Sequence, residues 1–225
     1  MSKNKPIIHD GLIYYCEGAL KKKFCKEVIK KFDKDTRQRQ GCTSSGVDTT
    51  IKDSMDMNIS KYKGWEKEDK VFFDSLGKHI GKFQKLVKRQ KFIRYFNFND
   101  SGYQIQRTPP HSNGYIWHHD GMVRYNNDGV LEERYLTFIW YLNDVTDDGY
   151  TEFYNGVKIQ PKAGSIVLFP ATWYHYHRGY PTKSQEKYLC TGWLYAPPAT
   201  EGKMNDIDQD AFVMAKDNEN DNDAT

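Results

Sequence analysis

The chain has 225 residues, of which 38% are apolar and 28% charged, and its net charge is +3. That length suits one domain with a core of its own rather than a disordered or fibrous chain. The charge is too small to argue for nucleic acid, and no apolar run approaches the ~20 residues that a membrane helix needs.

The opening MSKNKPIIHDG lacks the apolar stretch of a signal peptide. The four cysteines, Cys16, Cys25, Cys42 and Cys190, form no CxxC pair. Both features predict free thiols and a cytoplasmic setting. From Leu20 the apolar residues Leu20, Phe24, Val28 and Phe32 recur every four positions, which predicts an amphipathic helix. Phe72, Leu76, Ile80, Phe83 and Val87 predict a second, weakened by Gly77 and Gly81. TRQRQGCTSSGVDTT between them is polar and aperiodic, so residues 35–55 are expected to form a loop, of the length of lids or binding loops, and a candidate for placing a substrate. Residues 1–91 are thus expected to be a helical and loop region supporting a core.

The pattern changes near Phe92. FIRYFNF, YQIQR, YIWHHD, YLTFIWYL, TEFY, SIVLFP, WYHYH and YLCTGWLY are eight short strand candidates, mostly separated by Gly, Pro, Asn or Asp. Eight strands without crossover helices predict a mainly β, α+β fold. The core at 92–197 would be a two-sheet jelly roll or closed barrel, with the N-terminal helices packed on one sheet. Residues 198–225, ending KDNENDNDAT, read as a polar acidic tail of the same single domain.

Of seven histidines, His9, His79 and His111 stand apart, each expected to be solvated or satisfied. Four cluster: His118 and His119 in WHHDG, and His175 and His177 in WYHYH. Strand side chains alternate, so His118 and Asp120 share a face and His119 points away. An imidazole and a carboxylate on one face, completed by a later histidine, make the facial triad suited to non-haem Fe(II). Period two cannot choose between His175 and His177. Downstream context favours His177, because Lys187 follows it by ten residues and could anchor the far carboxylate of a diacid.

His118-x-Asp120, FPATWYHYHRGYP and His177-x9-Lys187 together resemble the 2-oxoglutarate- and Fe(II)-dependent dioxygenases, most closely the prolyl 4-hydroxylase-like branch in its phage and bacterial form. The resemblance covers roughly residues 92–196 and implies a double-stranded β-helix. It implies His118, Asp120 and His177 as iron ligands, and Lys187 on the far carboxylate of 2-oxoglutarate. Tyr115 would line the cosubstrate site, and Arg134 of the R-x-x-T pair with Thr137 would lie near the substrate. Phe169, Pro170 and Trp193 match core positions, and Trp140 and Trp193 are expected in the core. His175 is a candidate for orienting a ligand. Two departures stand out: Asp148 replaces a glycine in DGYTEF, and Pro109 and Pro110 occupy a region where relatives carry a cosubstrate-contacting tyrosine.

The implied reaction uses Fe(II), 2-oxoglutarate and O2, with ascorbate as accessory reductant. It would hydroxylate an unactivated C–H bond, foremost of a prolyl residue in a peptide or protein, releasing succinate and CO2. The alternatives are a free amino acid or small metabolite as substrate, or a metal-binding jelly roll that only binds. Neither a nucleic-acid nor a membrane partner is expected.

Overall fold

The computed structural model describes residues 5–87 and 98–196. Most of the FIRYFNF strand candidate and the tail at 198–225 lie outside the described residues. In chain order the strands are β1 (Ile7–His9), β2 (Ile13–Cys16), β3 (Arg39–Gln40), β4 (Met55–Asn58), β5 (Asn99–Asp100), β6 (Gln104–Thr108) and β7 (Tyr115–His118). They continue with β8 (Val123–Tyr125), β9 (Leu131–Tyr141), β10 (Thr151–Phe153), β11 (Lys158–Ile159), β12 (Ile166–Pro170), β13 (His177–Gly179) and β14 (Lys187–Ala196). Two helices, α1 (Lys22–Lys34) and α2 (Glu66–Leu86), fall where the four-residue periodicity places them.

Two antiparallel sheets result. The larger runs β1-β2-β12-β9-β14-β6-β4-β3, with β5 beside β14 and β8 beside β9; the smaller runs β11-β10-β13-β7. From Leu136 to Tyr141 strand β9 is buried without alternation, and apolar except at Thr137, because both its faces are covered. Phe138 and Trp140 join a core that includes Val28 and Phe32 of α1 and Phe72, Leu76 and Phe83 of α2. Ile139 and Tyr141 pack the other way, against Phe153 and Ile159 of the smaller sheet. Phe72 meets Trp140 at a centroid distance of 5.1 Å. The helices therefore back the larger sheet, as expected, and leave the space between the sheets free to hold a site.

Two expectations are corrected. The first 90 residues are not only helix and loop, since β1 and β2 extend one edge of the larger sheet and β3 and β4 the other. The β1–β2 hairpin turns through Asp10 and Gly11, both at positive φ, so the Asp-Gly pair was its sequence signal. Nor is WYHYH one strand: Trp173–His175 is a 3-10 turn and strand geometry resumes only at His177. His175 and His177 therefore do not share a strand face. Among the described residues, no helix is long and apolar enough to cross a membrane.

Candidate metal centre

The site forms where β7 and β13 pair in the smaller sheet. Register sets His118 opposite His177, and the two rings lie 4.3 Å apart. Asp120 follows the end of β7. His118 Nε2 is 3.9 Å from Asp120 Oδ1, and His177 Nε2 is 3.7 Å from Asp120 Oδ2. The three offer ligand atoms within 4.8 Å of one another, the only such group of three or more His, Cys, Asp or Glu among the described residues.

The far side of each ring fixes its tautomer. His118 Nδ1 faces the Ile116 carbonyl at 2.8 Å, and His177 Nδ1 faces the His175 carbonyl at 2.9 Å. A carbonyl only accepts, so each Nδ1 carries the proton and each Nε2 lone pair is free for a metal. Burial, then the neighbouring His177, pushes His118 down to about 3, which keeps it neutral. Burial alone would raise the Asp120 carboxyl. His177 and His118 beside it and the Thr137 hydroxyl, donating to Oδ2 at 2.7 Å, hold it low. Two imidazoles and one carboxylate on one side of a cavity suit octahedral Fe(II) with open positions.

A cavity of about 640 Å³ opens from this cluster between the sheets, and Tyr115, Arg134, Thr137, Lys187 and Trp193 line it. Lys187 is 2% exposed, and its Nζ donates to the Gly149 carbonyl at 3.1 Å. Burial lowers this amine to about 8. Among the described residues no carboxylate pairs with it. A buried ammonium without an anion is costly, so its surroundings fit an incoming carboxylate. Gly179 keeps room there: a Cβ on it would lie 3.4 Å from Lys187 Nζ. Tyr115 stacks on His118 at 3.6 Å. Asp148 takes φ +74, and with Gly149 at +66 it forms the turn that presents the Gly149 carbonyl to Lys187. The donor set and the ammonium thus fit Fe(II) and 2-oxoglutarate.

Other sequence expectations fare unevenly. Arg134 donates from Nε to the Tyr195 hydroxyl at 2.9 Å and from Nη1 to the Asp120 carbonyl at 3.3 Å, and it lies over the Trp193 ring. Trp140 is fully buried, but Trp193 is a cavity residue, not a core one, and its Nε1 is buried without a partner. Its strand face explains this: Trp193 pairs with Thr137, whose side chain also points at the site. His175 touches the site through its backbone carbonyl, while its Nδ1 meets the Thr172 hydroxyl at 3.2 Å. His119 turns to its own chain, where Nδ1 accepts from the Gly121 amide. Arg178 lies on the other side of β13 from His177, paired with Glu152 and over Trp117.

Sequence reasoning missed Lys52, Ser54, Gln104 and Gln106, which also line the cavity. Lys52 and Ser54 sit in the 35–55 stretch read as a lid or binding loop. That stretch is tied to β7, as the Ile116 amide donates to the Ile51 carbonyl and the Asp53 amide to the Gly114 carbonyl, both at 3.0 Å. Gln104 and Gln106 were findable by parity, because Ile105 between them is fully buried on the opposite face.

With this geometry in place, residues 103–195 match the family model of the 2OG-Fe(II) oxygenase superfamily. That match spans fewer than half of the chain's residues, and with the donor set above it supports a 2-oxoglutarate- and Fe(II)-dependent dioxygenase. A viral collagen prolyl hydroxylase from Paramecium bursaria Chlorella virus-1 superposes with TM-score 0.57 at 21% identity, over 82% of this chain and 96% of its own. A prolyl hydroxylase from Trichoplax adhaerens gives TM-score 0.63 at 18% identity, over 83% of this chain and 84% of its own. A Pseudomonas putida prolyl-4-hydroxylase gives 0.58 at 16%, over 81% and 91%. At such identities these likenesses speak for the fold. No curated protein sequence matches.

Proposed function

We propose that this protein hydroxylates an unactivated C–H bond, foremost of a prolyl residue in a peptide or protein, releasing succinate and CO2. The observation that carries the proposal is the pairing of the His118–Asp120–His177 cluster with the anion-free ammonium of the buried Lys187 in one cavity. The prolyl hydroxylases that share the fold support the substrate class, and one of them is described in complex with a peptide fragment of hypoxia inducible factor. The two antiparallel sheets around the site are read as the double-stranded β-helix of the superfamily.

His118, Asp120 and His177 would hold the iron from one side, with Thr137 fixing the carboxylate. Iron with 2-oxoglutarate and O2 supplies the oxidising power when bound. Lys187 would hold the far carboxylate of 2-oxoglutarate, and Tyr115 would flank it. Leu189, two residues along β14 from Lys187, and Ile139, opposite Thr191, add apolar surface to the cavity. They exclude water and strengthen each charge contact. Arg134, held flat on Trp193, would place the substrate.

The test is succinate formation from 2-oxoglutarate with Fe(II), with and without proline-containing peptides. Iron-dependent turnover stimulated by such a peptide is expected. Absence of any iron-dependent succinate, together with unchanged 2-oxoglutarate binding in Lys187→Ala, would reject the proposal.

A further inference from the structure

We propose that Lys52, clamped by Asp56, is a positioning residue that holds the Tyr115 ring as the wall against which the cosubstrate lies. This rests on the dioxygenase function proposed above and adds a residue to its cosubstrate end.

The placement follows from one row of residues across the smaller sheet. Register sets Thr151 opposite Gly179 and Gly179 opposite Tyr115. Lys52 continues the row through an isolated bridge to Tyr115. The Ile116 amide donates to the Ile51 carbonyl and the Asp53 amide to the Gly114 carbonyl, both at 3.0 Å, so the ladder bonds lie to either side of the bridge. Lys52 and Tyr115 thus exchange no ladder bond themselves, and such pairs bring their side chains closest on one face. Both side chains line the cavity. Lys187 reaches the same row from the larger sheet at Gly179, where a Cβ would lie 3.4 Å from its Nζ. Tyr115 therefore stands between two lysines, with Lys187 on its Gly179 side and Lys52 on the other.

The two lysines differ in what holds them. Lys187 has no carboxylate partner among the described residues and is left for a ligand, whereas Lys52 is already paired. It is 5% exposed, and its Nζ donates to Asp56 Oδ2 at 2.6 Å. Asp56 belongs to β4 of the larger sheet, and it also accepts from Gln104 Nε2 at 2.6 Å and from the Ser54 hydroxyl at 2.8 Å. The Lys52 side chain therefore crosses from the edge of the smaller sheet to the larger one, with its backbone fixed on β7 and its head fixed on β4. On the way its ammonium comes 5.6 Å from the centre of the Tyr115 ring, within cation–π reach. The same ring stacks on His118 at 3.6 Å. Gly179, the neighbour of Tyr115 on the other side of the row, has no side chain to support it, so lateral support falls to Lys52. Replacing a buried ion pair by apolar residues is often neutral for stability. What Lys52 and Asp56 contribute is then geometry, a fixed ring between the metal ligands and Lys187.

The experiment is calorimetric titration of the full chain under nitrogen, first with Fe(II) alone and then with 2-oxoglutarate on the Fe(II)-loaded chain. Lys52→Met is expected to bind 2-oxoglutarate about 10-fold more weakly, the loss typical of an outer support. Fe(II) affinity should hold, because the Ile116 carbonyl fixes the His118 ring independently. Lys52→Arg keeps the charge and the reach to Asp56, so it should recover most of the loss. In a Tyr115→Ala background Lys52→Met should cost nothing further, since the ring it positions is gone. Wild-type cosubstrate affinity in Lys52→Met overturns the proposal. So does an equal fall in Fe(II) and 2-oxoglutarate affinity, which marks general damage. A full additional loss on top of Tyr115→Ala also overturns it, because Lys52 would then touch the cosubstrate itself. If Lys52→Met does not fold, the double variant Lys52→Met/Asp56→Leu, which removes both charges, takes its place. It should fold and still bind 2-oxoglutarate weakly, and wild-type affinity there would reduce the pair to a stability element and reject the role. Failure of the dioxygenase function itself would show separately, as no iron-dependent succinate from the wild-type chain.

Discussion

His177 Nδ1 lies 2.9 Å from the backbone carbonyl of His175, and this contact settles which of the two imidazoles faces the site. The hydrogen bond uses only main-chain atoms of His175. It turns His177 Nε2 toward Asp120 and leaves the His175 ring in the turn with Thr172. Removing the His175 ring should therefore spare the metal. In anaerobic Fe(II) or Co(II) titrations, His177→Ala is expected to weaken binding by more than about 100-fold, beyond what loss of an outer contact costs. His175→Ala should change it by no more than a few-fold. The reverse pattern would show that the ring at 175 is the ligand.

Thr137 is 1% exposed and donates to Asp120 Oδ2 from the facing strand β9. Thr137→Val keeps the shape and removes the donor, so Asp120 loses the contact that orients it. Metal affinity is expected to fall about 10- to 100-fold, with the fold retained by circular dichroism. Unchanged affinity would mean that the two histidines alone fix the carboxylate.

The candidate metal centre was legible because its signals are local. His118 and Asp120 lie two apart at the end of a strand, and His177 and Lys187 bracket one turn, so spacing alone carries most of the geometry. The helices were legible for the same reason, through the four-residue recurrence of Val28, Phe32, Phe72 and Leu76. What escaped was set by pairing at a distance. Strands β3 and β4 have only two and four residues, too short for a periodic signal, and they are strands because β6 accepts them as neighbours. Lys52 reads as one more polar residue of a loop until Asp56 and Gln104 close around it. Trp193 looks like any core aromatic until its register with Thr137 shows which face it occupies.

Lys187 gives the pH dependence. Burial lowers its amine to about 8 in the free protein, so the charged form is complete below that value and is lost above it. A carboxylate binds the charged form. Affinity for 2-oxoglutarate should therefore be level below about pH 7. It should fall as pH rises through 8, by as much as tenfold per unit. Lys187→Arg stays charged and should remove this decline, while Lys187→Met should bind weakly at every pH. Equilibrium binding measured across pH 6–10 checks all three. A wild-type curve that is flat to pH 10 would mean that another group holds the cosubstrate.

Gly149 links the backbone to that same ammonium. It sits at φ +66, a Cβ on it would lie 2.6 Å from Thr182 Cγ2 and 2.8 Å from Val145 Cγ1, and its carbonyl accepts from Lys187 Nζ. Gly149→Ala therefore meets two obstacles, a left-handed backbone costing about 1–3 kcal/mol for a residue with a side chain and a collision with packed neighbours. The cheapest relief is a shift of the Asp148–Gly149 turn, which carries the carbonyl away from Lys187. Thermal or urea unfolding should show a loss of at least about 1 kcal/mol, and 2-oxoglutarate should bind more weakly while Fe(II) affinity holds. Separate titrations of metal and cosubstrate distinguish this from general damage, which would weaken both together.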